Sequence, residues 1–203
     1  MAFSTTNILL AIIAIMSFVA LQQPDYFYKW AYDPYLVKHR GQYWRLITHQ
    51  FIHADLTHLL FNCFALYSFG NVAELLFQIK YPEIPFFYVA IYLISGVIAA
   101  IPNLVIHGDN PRYTSVGASG SISSLMLIYV MIFPMEEICL YFAICVPSIL
   151  FGAIYLGYSF YGNRISQSNI DHTAHLWGAL AGVAFALLLF TPEVFQSLGS
   201  LLP

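Results

Sequence analysis

Apolar stretches of about the length that crosses a lipid bilayer recur along the chain. A helix needs roughly 20 residues to span the hydrocarbon core, and six segments approach that length. They cover residues 7–22, 56–77, 85–106, 115–133, 138–158 and 173–190. Lipid offers no partner for open backbone groups, and the alternating pattern of a membrane barrel is absent, so these segments are predicted to be helices. The sequence therefore predicts an all-α membrane protein, with one domain of six transmembrane helices over residues 1–203.

Charged residues are too scarce to solvate the surface of a water-soluble protein of this size. Only 8% of the residues are charged, against about 25% in a typical soluble domain. The net charge is −3 and no long basic run occurs, which argues against nucleic acid as a partner. Cys63, Cys139 and Cys145 lie in apolar stretches without CxxC spacing, and we predict that they are small buried hydrophobic residues.

The connection between the first two segments, residues 23–55, is the longest polar one. It carries four of the seven basic residues and a run of aromatic residues, and such residues are typical of segments that lie at the membrane interface. No Lys or Arg precedes Lys29. The charged region that opens a signal peptide is therefore missing, and we expect residues 7–22 to be a retained span.

Polar residues inside apolar segments gather at one side of the predicted bundle. His58 and Asn62 stand near the start of the second segment, Ser119 near the start of the fourth, and His175 near the start of the sixth. Successive spans alternate in direction, so even-numbered spans all enter the membrane from the same side. Because polar residues in a span are costly and usually functional, the sequence predicts a single site there.

The residue types of this site fit acyl-transfer chemistry. A serine hydroxyl becomes a good nucleophile when a neighbouring base removes its proton, and His175 could be that base for Ser119. His58 and Asn62 are four residues apart and share a helical face. They could donate hydrogen bonds to an oxyanion, as could the backbone N–H of Ser119. Each residue could otherwise serve in packing or hydrogen bonding alone.

Small residues line the faces on which the fourth and sixth segments would meet. Gly178 and Gly182 form a small-xxx-small stripe, and Gly120 and Ser124 form a similar one. Such stripes let two helix backbones approach closely in lipid. A hydrogen bond between side chains of the two helices requires such an approach.

Four motifs, in one order, resemble the rhomboid intramembrane serine proteases over essentially the whole six-span core. WR at 44–45 resembles the pair of the family's first loop, and HLLFN at 58–62 resembles its HxxxN motif. GASG at 117–120 resembles its GxSG motif, and AHLWGALAG at 174–182 its AHxxGxxxG motif. A lone GxSG would be weak, because small residues abound in membrane helices, but the ordered set is specific.

The resemblance implies a six-helix rhomboid-like bundle that cleaves transmembrane segments of membrane proteins. It implies a Ser119–His175 dyad without an aspartate, and an oxyanion hole made of His58, Asn62 and Ser119. Membrane proteins and lipid would be the partners, and no cofactor or metal is implied. The supporting residues that it implies are Trp44, Arg45, His49, Glu74, Gly117, Gly120, Gly178 and Gly182.

The chain departs from the family in two respects. The residue four past the serine is often aromatic in the family and packs on the histidine, but here it is Ser123. The ring of His175 therefore needs another support, from Trp177 or a neighbouring span. Six of the seven Lys and Arg residues follow spans one, three and five, which by the positive-inside rule favours a cytoplasmic site. The resemblance implies the reverse, a bacterial inner-membrane protein with its site facing outward.

Three other functions remain open from the sequence. A metal-dependent membrane hydrolase could use ligands among His49, His53, His58, Asp171, His172 and His175, although no HExxH motif is present. A non-catalytic rhomboid-like protein could bind membrane clients without cutting them. A transporter would place its polar residues near the midplane of the membrane, and here they cluster near one face.

Overall fold

The computed structural model describes residues 4–140, 144–165 and 170–199, and these form a helical bundle with one short β-hairpin. The elements are, in chain order, α1 (Thr5–Gln22), α2 (Pro24–Trp30), α3 (Pro34–Arg40), α4 (Arg45–Thr48), α5 (Leu56–Ala65), α6 (Asn71–Lys80), α7 (Phe87–His107), α8 (Ser119–Ile132), β1 (Glu137–Leu140), β2 (Ile144–Pro147), α9 (Ser148–Ile165), α10 (His172–Leu189) and α11 (Thr191–Gly199). A 3-10 turn, His49–Phe51, follows α4, and a π-helical turn, Leu66–Gly70, joins α5 to α6.

Four helices of the described residues are long and apolar enough to cross a membrane, which confirms the prediction of an all-α membrane bundle. They are Thr5–Gln22, Leu56–Lys80, Phe87–His107 and His172–Leu189. The predicted fourth segment forms the shorter apolar helix α8, of 14 residues. Most of α8 is buried, because α7, α9 and α10 pack around it. It is therefore the central helix of the bundle, with Ser119 as its first residue.

The predicted fifth span, residues 138–158, is wrong at its beginning. Residues Glu137–Leu140 and Ile144–Pro147 form an antiparallel hairpin, and α9 begins only at Ser148; residues 141–143 lie outside the described part of the chain. β-Branched residues favour strands, and a proline inside a helix would remove one of its hydrogen bonds. Apolar character alone does not distinguish such a hairpin from the start of a helix.

The prediction that all three cysteines are buried hydrophobic residues is also wrong. Cys139 and Cys145 lie opposite each other on the two strands, are exposed, and form a disulfide. Only Cys63, half-buried in α5, is a free thiol among the described residues. Because the chain reverses between the strands, cysteines six positions apart become direct neighbours, a pairing that CxxC spacing does not reveal.

The first connection folds into short helices that pack against the beginning of the spans. Tyr32 pairs with Ser115 through two backbone hydrogen bonds, which ties this connection to the loop before α8. Arg45 is buried, and its guanidinium donates to the carbonyl oxygens of Tyr28 and Ala31 at 2.7 and 2.6 Å. The connection is thus held by buried hydrogen bonds, beside the end of the bundle that carries Ser119.

Candidate active site

The backbones of α8 and α10 touch at the level of Ser119 and His175. A Cβ added to Gly178 would lie 2.1 Å from the carbonyl oxygen of Gly120, and one added to Gly182 would lie 2.2 Å from that of Ser124. Neither glycine can therefore be replaced without separating the helices. This is the approach that the two stripes of small residues predict, and it sets the residue after Ser119 against the first turn of α10.

Ser119 follows a turn whose shape requires glycine. Gly117 has φ +124°, in a region that side chains disfavour. A Cβ at Gly117 would also lie 2.9 Å from the imidazole of His58. The Oγ of Ser119 lies within 4 Å of that same point, so His58 and Ser119 both border Gly117. As the first residue of α8, Ser119 has a backbone N–H without a partner inside the helix, which makes it available to an oxyanion.

His58 and Asn62 stand on the first turns of α5, which Asp55 caps. The carboxylate of Asp55 accepts from the backbone N–H of His58 at 2.7 Å, a standard stabilisation of a helix start. Asn62 is buried and its Nδ2 donates to the carbonyl oxygen of His58 at 2.9 Å. An amide nitrogen carries two hydrogens, so the second remains for another acceptor. The structure thus brings His58 beside Ser119, with Asn62 one turn further along the same helix.

His175 lies one turn into α10, and its ring faces an aromatic residue of α9. The ring of Tyr155 is stacked on it, with centroids 6.0 Å apart and planes inclined by 24°. The Nδ1 of His175 is buried and has no hydrogen-bond partner among the described residues. Trp177, the other support considered from the sequence, is exposed. The support therefore comes from a neighbouring helix, the second of the two sources expected from the sequence.

Asp171 connects three segments around the start of α10, a role not predicted from the sequence. Its carboxylate accepts from Asn103 Nδ2, the Tyr113 hydroxyl, the Ser115 hydroxyl and the Ala174 N–H at 2.8–3.0 Å. Burial would raise the pKa of Asp171, but these hydrogen bonds outweigh it and hold the pKa below its usual value. An Asp just before an apolar helix is a readable capping signal, whereas its other donors are not.

Two histidines of the first connection hold the turn before Ser119. His49 accepts at its carbonyl from the Gly117 N–H at 2.9 Å, and His53 Nε2 accepts from the Ala118 N–H at 3.4 Å. With Nε2 as acceptor, Nδ1 of His53 carries the proton and donates to the Ser17 hydroxyl at 2.9 Å. Burial lowers the pKa of His49 to about 4 and that of His53 to about 3, so both are neutral at pH 7.

The other supporting residues are Trp44, Arg45 and Glu74. Trp44 is half exposed, next to the buried Arg45. Glu74 is buried near the opposite end of the bundle, where it accepts from the Ser4 hydroxyl and from the N–H groups of Thr5 and Thr6 at 2.6–2.9 Å. These bonds fasten the start of α1 to α6. Glu74 therefore has a structural environment, remote from the site.

The ligands of the metal-hydrolase alternative do not converge. Within the described residues, three metal-ligating side chains come together only at Glu137, Cys139 and Cys145. The two thiols of that group form the disulfide. None of the histidines considered from the sequence belongs to it. The geometry therefore favours the serine-based reading of the polar cluster over the metal-based one.

The fold and the position of the polar residues define the class of protein, a multi-pass helical membrane protein with its polar cluster at one end of the bundle. A family model described as the rhomboid domain matches residues 40–192. The chain belongs to the rhomboid family.

Similar proteins are found in plants and bacteria. Over 162 residues the chain is 30% identical to the RHOMBOID-like protein 12, mitochondrial, of Arabidopsis thaliana, covering 72% of this chain and 46% of that protein. It is 30% identical over 156 residues to the Rhomboid protease GluP of Bacillus subtilis, covering 76% of this chain and 27% of that protein. It is 31% identical over 172 residues to the Rhomboid-like protein 11, chloroplastic, of Arabidopsis thaliana, covering 76% of this chain and 55% of that protein. The chain spans only part of the length of each of these relatives.

Proposed function

We propose that this protein is an intramembrane serine endopeptidase that cleaves transmembrane segments of membrane proteins with a Ser119–His175 dyad. Membership of the rhomboid family supports proteolysis within the membrane, and rhomboid proteases act on transmembrane proteins. The assignment of the two catalytic residues and of the substrate for this chain belongs to the proposal.

The close contact of α8 with α10 carries the proposal. Gly178 brings its helix against the carbonyl of Gly120, directly after Ser119. A Cβ at Gly120 would lie 3.6 Å from the carbonyl oxygen of Ala174, which directly precedes His175. Both residues are thus next to the same helix contact, as general-base activation of a serine requires.

The proposed reaction follows acyl transfer. Ser119 Oγ attacks the carbonyl carbon of the scissile peptide bond while His175 takes the hydroxyl proton. The oxyanion accepts from the Ser119 N–H, Asn62 and His58, donors that are fixed before the charge develops. His175 then protonates the leaving amine. A water molecule, deprotonated by His175, hydrolyses the acyl-enzyme and regenerates the Ser119 hydroxyl.

Water for the second step must reach a serine located at the start of a helix in a membrane protein. A crevice beside Ser119 is lined by polar groups that include His49, Ser115, Ser121 and Asp171. Polar linings of this kind can hold water where an apolar cavity would stay dry. The crevice has room for about one water molecule beside Ser119, and His175 is not among its lining residues.

The side of the membrane is a separate part of the proposal. The resemblance implies a bacterial inner membrane with Ser119 facing outward, and relatives are also named mitochondrial and chloroplastic. Two features oppose that orientation. Most Lys and Arg lie on the Ser119 side, and the Cys139–Cys145 disulfide lies on the other side, although disulfides are rare in cytosolic compartments. The proposed chemistry is the same in either orientation.

The dyad is tested with the protein in detergent micelles, using a reporter protein with one transmembrane span as substrate. We expect Ser119→Ala and His175→Ala each to lower the cleavage rate by a factor of about 10⁴ or more, because removing either member of such a unit removes most of the catalysis. A fluorophosphonate probe should label the wild type at Ser119, as located by peptide mapping, and His175→Ala should suppress that labelling.

Ser68→Ala is the matched control, since Ser68 is an exposed serine of the second span whose hydroxyl donates to the carbonyl of Phe64. It should cleave the reporter at the wild-type rate. Cleavage near the wild-type rate by either dyad variant would reject the dyad. Capture of the reporter without cleavage by the wild type would favour the client-binding reading.

A further inference from the structure

The Nδ1 atom of His175 has no polar partner that would orient the imidazole among the described residues. In a Ser-His-Asp triad, a carboxylate bonded to Nδ1 fixes the tautomer and orientation of the base. Here Nδ1 of His175 is buried without a hydrogen-bond partner. Asp171 is one turn away, but its carboxylate already accepts from four groups of α7, the loop before α8 and α10. The ring must therefore be held in another way.

Tyr155 is the aromatic ring stacked on His175. The two rings are inclined by 24° with their centroids 6.0 Å apart. Offset, nearly parallel rings attract one another, and a ring lying along the imidazole limits its rotation. Tyr155 reaches this place because α9 packs tightly on α8. A Cβ added to Gly152, one turn before Tyr155, would lie 2.9 Å from a methyl carbon of Val130.

Ser123 fixes Tyr155 in turn. The Ser123 hydroxyl donates to the carbonyl oxygen of Ser119 at 2.7 Å, and the Tyr155 hydroxyl lies 2.5 Å from Ser123 Oγ. Each hydroxyl has one proton. Because the proton of Ser123 is directed to Ser119, the Tyr155 hydroxyl is the donor in the second bond. A chain of two hydrogen bonds thus connects the backbone of Ser119 to the ring that faces His175.

We propose that Tyr155, held by Ser123, is a positioning residue that keeps the imidazole of His175 oriented toward Ser119. The proposal rests on the proposed function, since it assigns the support of the same base. A small residue is needed at position 123, because the hydroxyl of Tyr155 lies directly against it. The aromatic support of the histidine therefore comes from α9, while α8 supplies the hydroxyl that anchors it.

The test measures kcat and KM for the single-span reporter in detergent with four variants. Tyr155→Leu removes both the ring and its hydroxyl. It should lower kcat about 10- to 100-fold and leave KM within about twofold of the wild type. A general base contributes about 10²–10⁴ to the rate, and this variant would lose only the orientation of the base. Tyr155→Phe keeps the ring and should retain most of the wild-type kcat. Tyr155→Phe removes the hydrogen bond between Tyr155 and Ser123, and Ser123→Ala removes that bond together with the one to the Ser119 carbonyl. The double variant should therefore lose no more activity than Ser123→Ala alone.

Tyr158→Leu is the control on the same helix. Tyr158 is exposed, and its ring contacts His172 rather than His175; kcat should stay within about twofold of the wild type. The rate of fluorophosphonate labelling at Ser119 should fall with Tyr155→Leu and be unchanged with Tyr158→Leu. A merely structural role of Tyr155 would instead lower the melting temperature and leave the kcat of the folded fraction unchanged.

Several outcomes would overturn the positioning role. These are a kcat for Tyr155→Leu within twofold of the wild type, an effect confined to KM, or additive losses in the double variant. Should Tyr155→Leu fail to fold, Tyr155→Phe and Ser123→Ala still decide through their double-variant cycle. If Ser119→Ala is inactive while all Tyr155 variants cleave normally, only the positioning role fails. If the wild type neither cleaves the reporter nor reacts with the probe, the proposed function fails as well.

Discussion

The two ends of the bundle are built in different ways, although α8 and α10 run through both. At the Ser119 end, buried polar side chains connect distant segments. Gln50 is fully buried, and its Oε1 accepts from the Ser121 hydroxyl at 2.9 Å. Its Nε2 donates to the carbonyl oxygens of Leu46 and Leu93. The carboxylate of Asp171 likewise accepts hydrogen bonds from several distant segments. The segments there are joined through specific donor and acceptor pairs.

The opposite end has a buried polar anchor, Glu74, and is otherwise held mainly by aromatic packing. Phe77 meets Phe87 and Phe190 edge-to-face, with centroids 5.3 and 5.1 Å apart. Lys80 and Glu193 form an ion pair at 2.6 Å, with about a third of each side chain exposed. The aromatic contacts at this end depend on volume and shape, and similar apolar residues can often replace one another there.

The difference shows where the fold specifies positions most strictly. A buried hydrogen bond is costly to break, because its partner stays buried and unsatisfied, so the end with polar connections tolerates few rearrangements. Aromatic packing is more tolerant. The residues that the proposed chemistry needs lie at the end with polar connections. Small displacements of Ser119 or His175 there would lower the rate of the proposed reaction the most.

The largest effect should come from the helix contact that both ends share. Gly178→Ala places a Cβ against the backbone carbonyl of Gly120, so we expect loss of detectable cleavage and of cooperative thermal unfolding in detergent. Gly157→Ala in α9 is the control, because a Cβ there meets nothing within 4 Å. It should be neutral or more stable by about 0.5–1 kcal/mol, since Ala is the better helix former. Equal behaviour of the two variants would contradict the close contact.

This contact could be predicted from the sequence, because glycine spacing in an apolar helix carries its own physical meaning. The spans at residues 7–22, 56–77, 85–106 and 173–190 could be predicted for a similar reason, since their apolar length exceeds what a soluble helix needs. The paired strands Glu137–Leu140 and Ile144–Pro147 could not, because these short apolar strands have the same composition as the start of a span.

The support of the site was harder to predict than its reactive residues. Ser119 and His175 occur in recognisable motifs, but Asp171 gathers donors from positions 103, 113 and 115 that have no common spacing. Tyr155 reaches His175 only through the packing of α9 on α8 and α10. Contacts between segments distant in the chain depend on the tertiary fold, and a single sequence carries no direct signal for them.

A smaller effect should distinguish the two ends directly. Asp171→Ala leaves the buried Asn103 and the hydroxyls of Tyr113 and Ser115 without their acceptor. We expect a loss of at least about 2 kcal/mol in the free energy of unfolding, because an unsatisfied buried group costs about 1–3 kcal/mol. Glu193→Ala removes a carboxylate from the opposite end and should cost about 0–1 kcal/mol. Denaturant titration in one detergent measures both, and equal losses would contradict the difference between the ends.

The smallest effect is a weakening of the Ser119 end in mild acid. His49 and His53 are buried and neutral, with pKa values lowered by burial to about 4 and about 3, whereas a histidine of the unfolded chain titrates near 6.5. Below about pH 6.5 the unfolded state therefore binds more protons, and stability falls as the pH decreases toward 4. The lowered pKa of Asp171 acts only below about 4, so the loss between pH 6.5 and 5 comes from buried histidines, His49 and His53 among them.

At pH 5.5 each histidine should cost about 1 kcal/mol of stability relative to pH 7.5. Protonation of His53 also removes the acceptor of the Ala118 N–H, directly before Ser119, so amide hydrogen exchange should rise first around residues 45–55 and 117–119. His53→Asn should reduce the dependence of stability on pH. Faster exchange around Phe77 and Phe87 than around the first connection would show that acid loosens the aromatic end instead, and that the buried imidazoles do not limit the stability of the site.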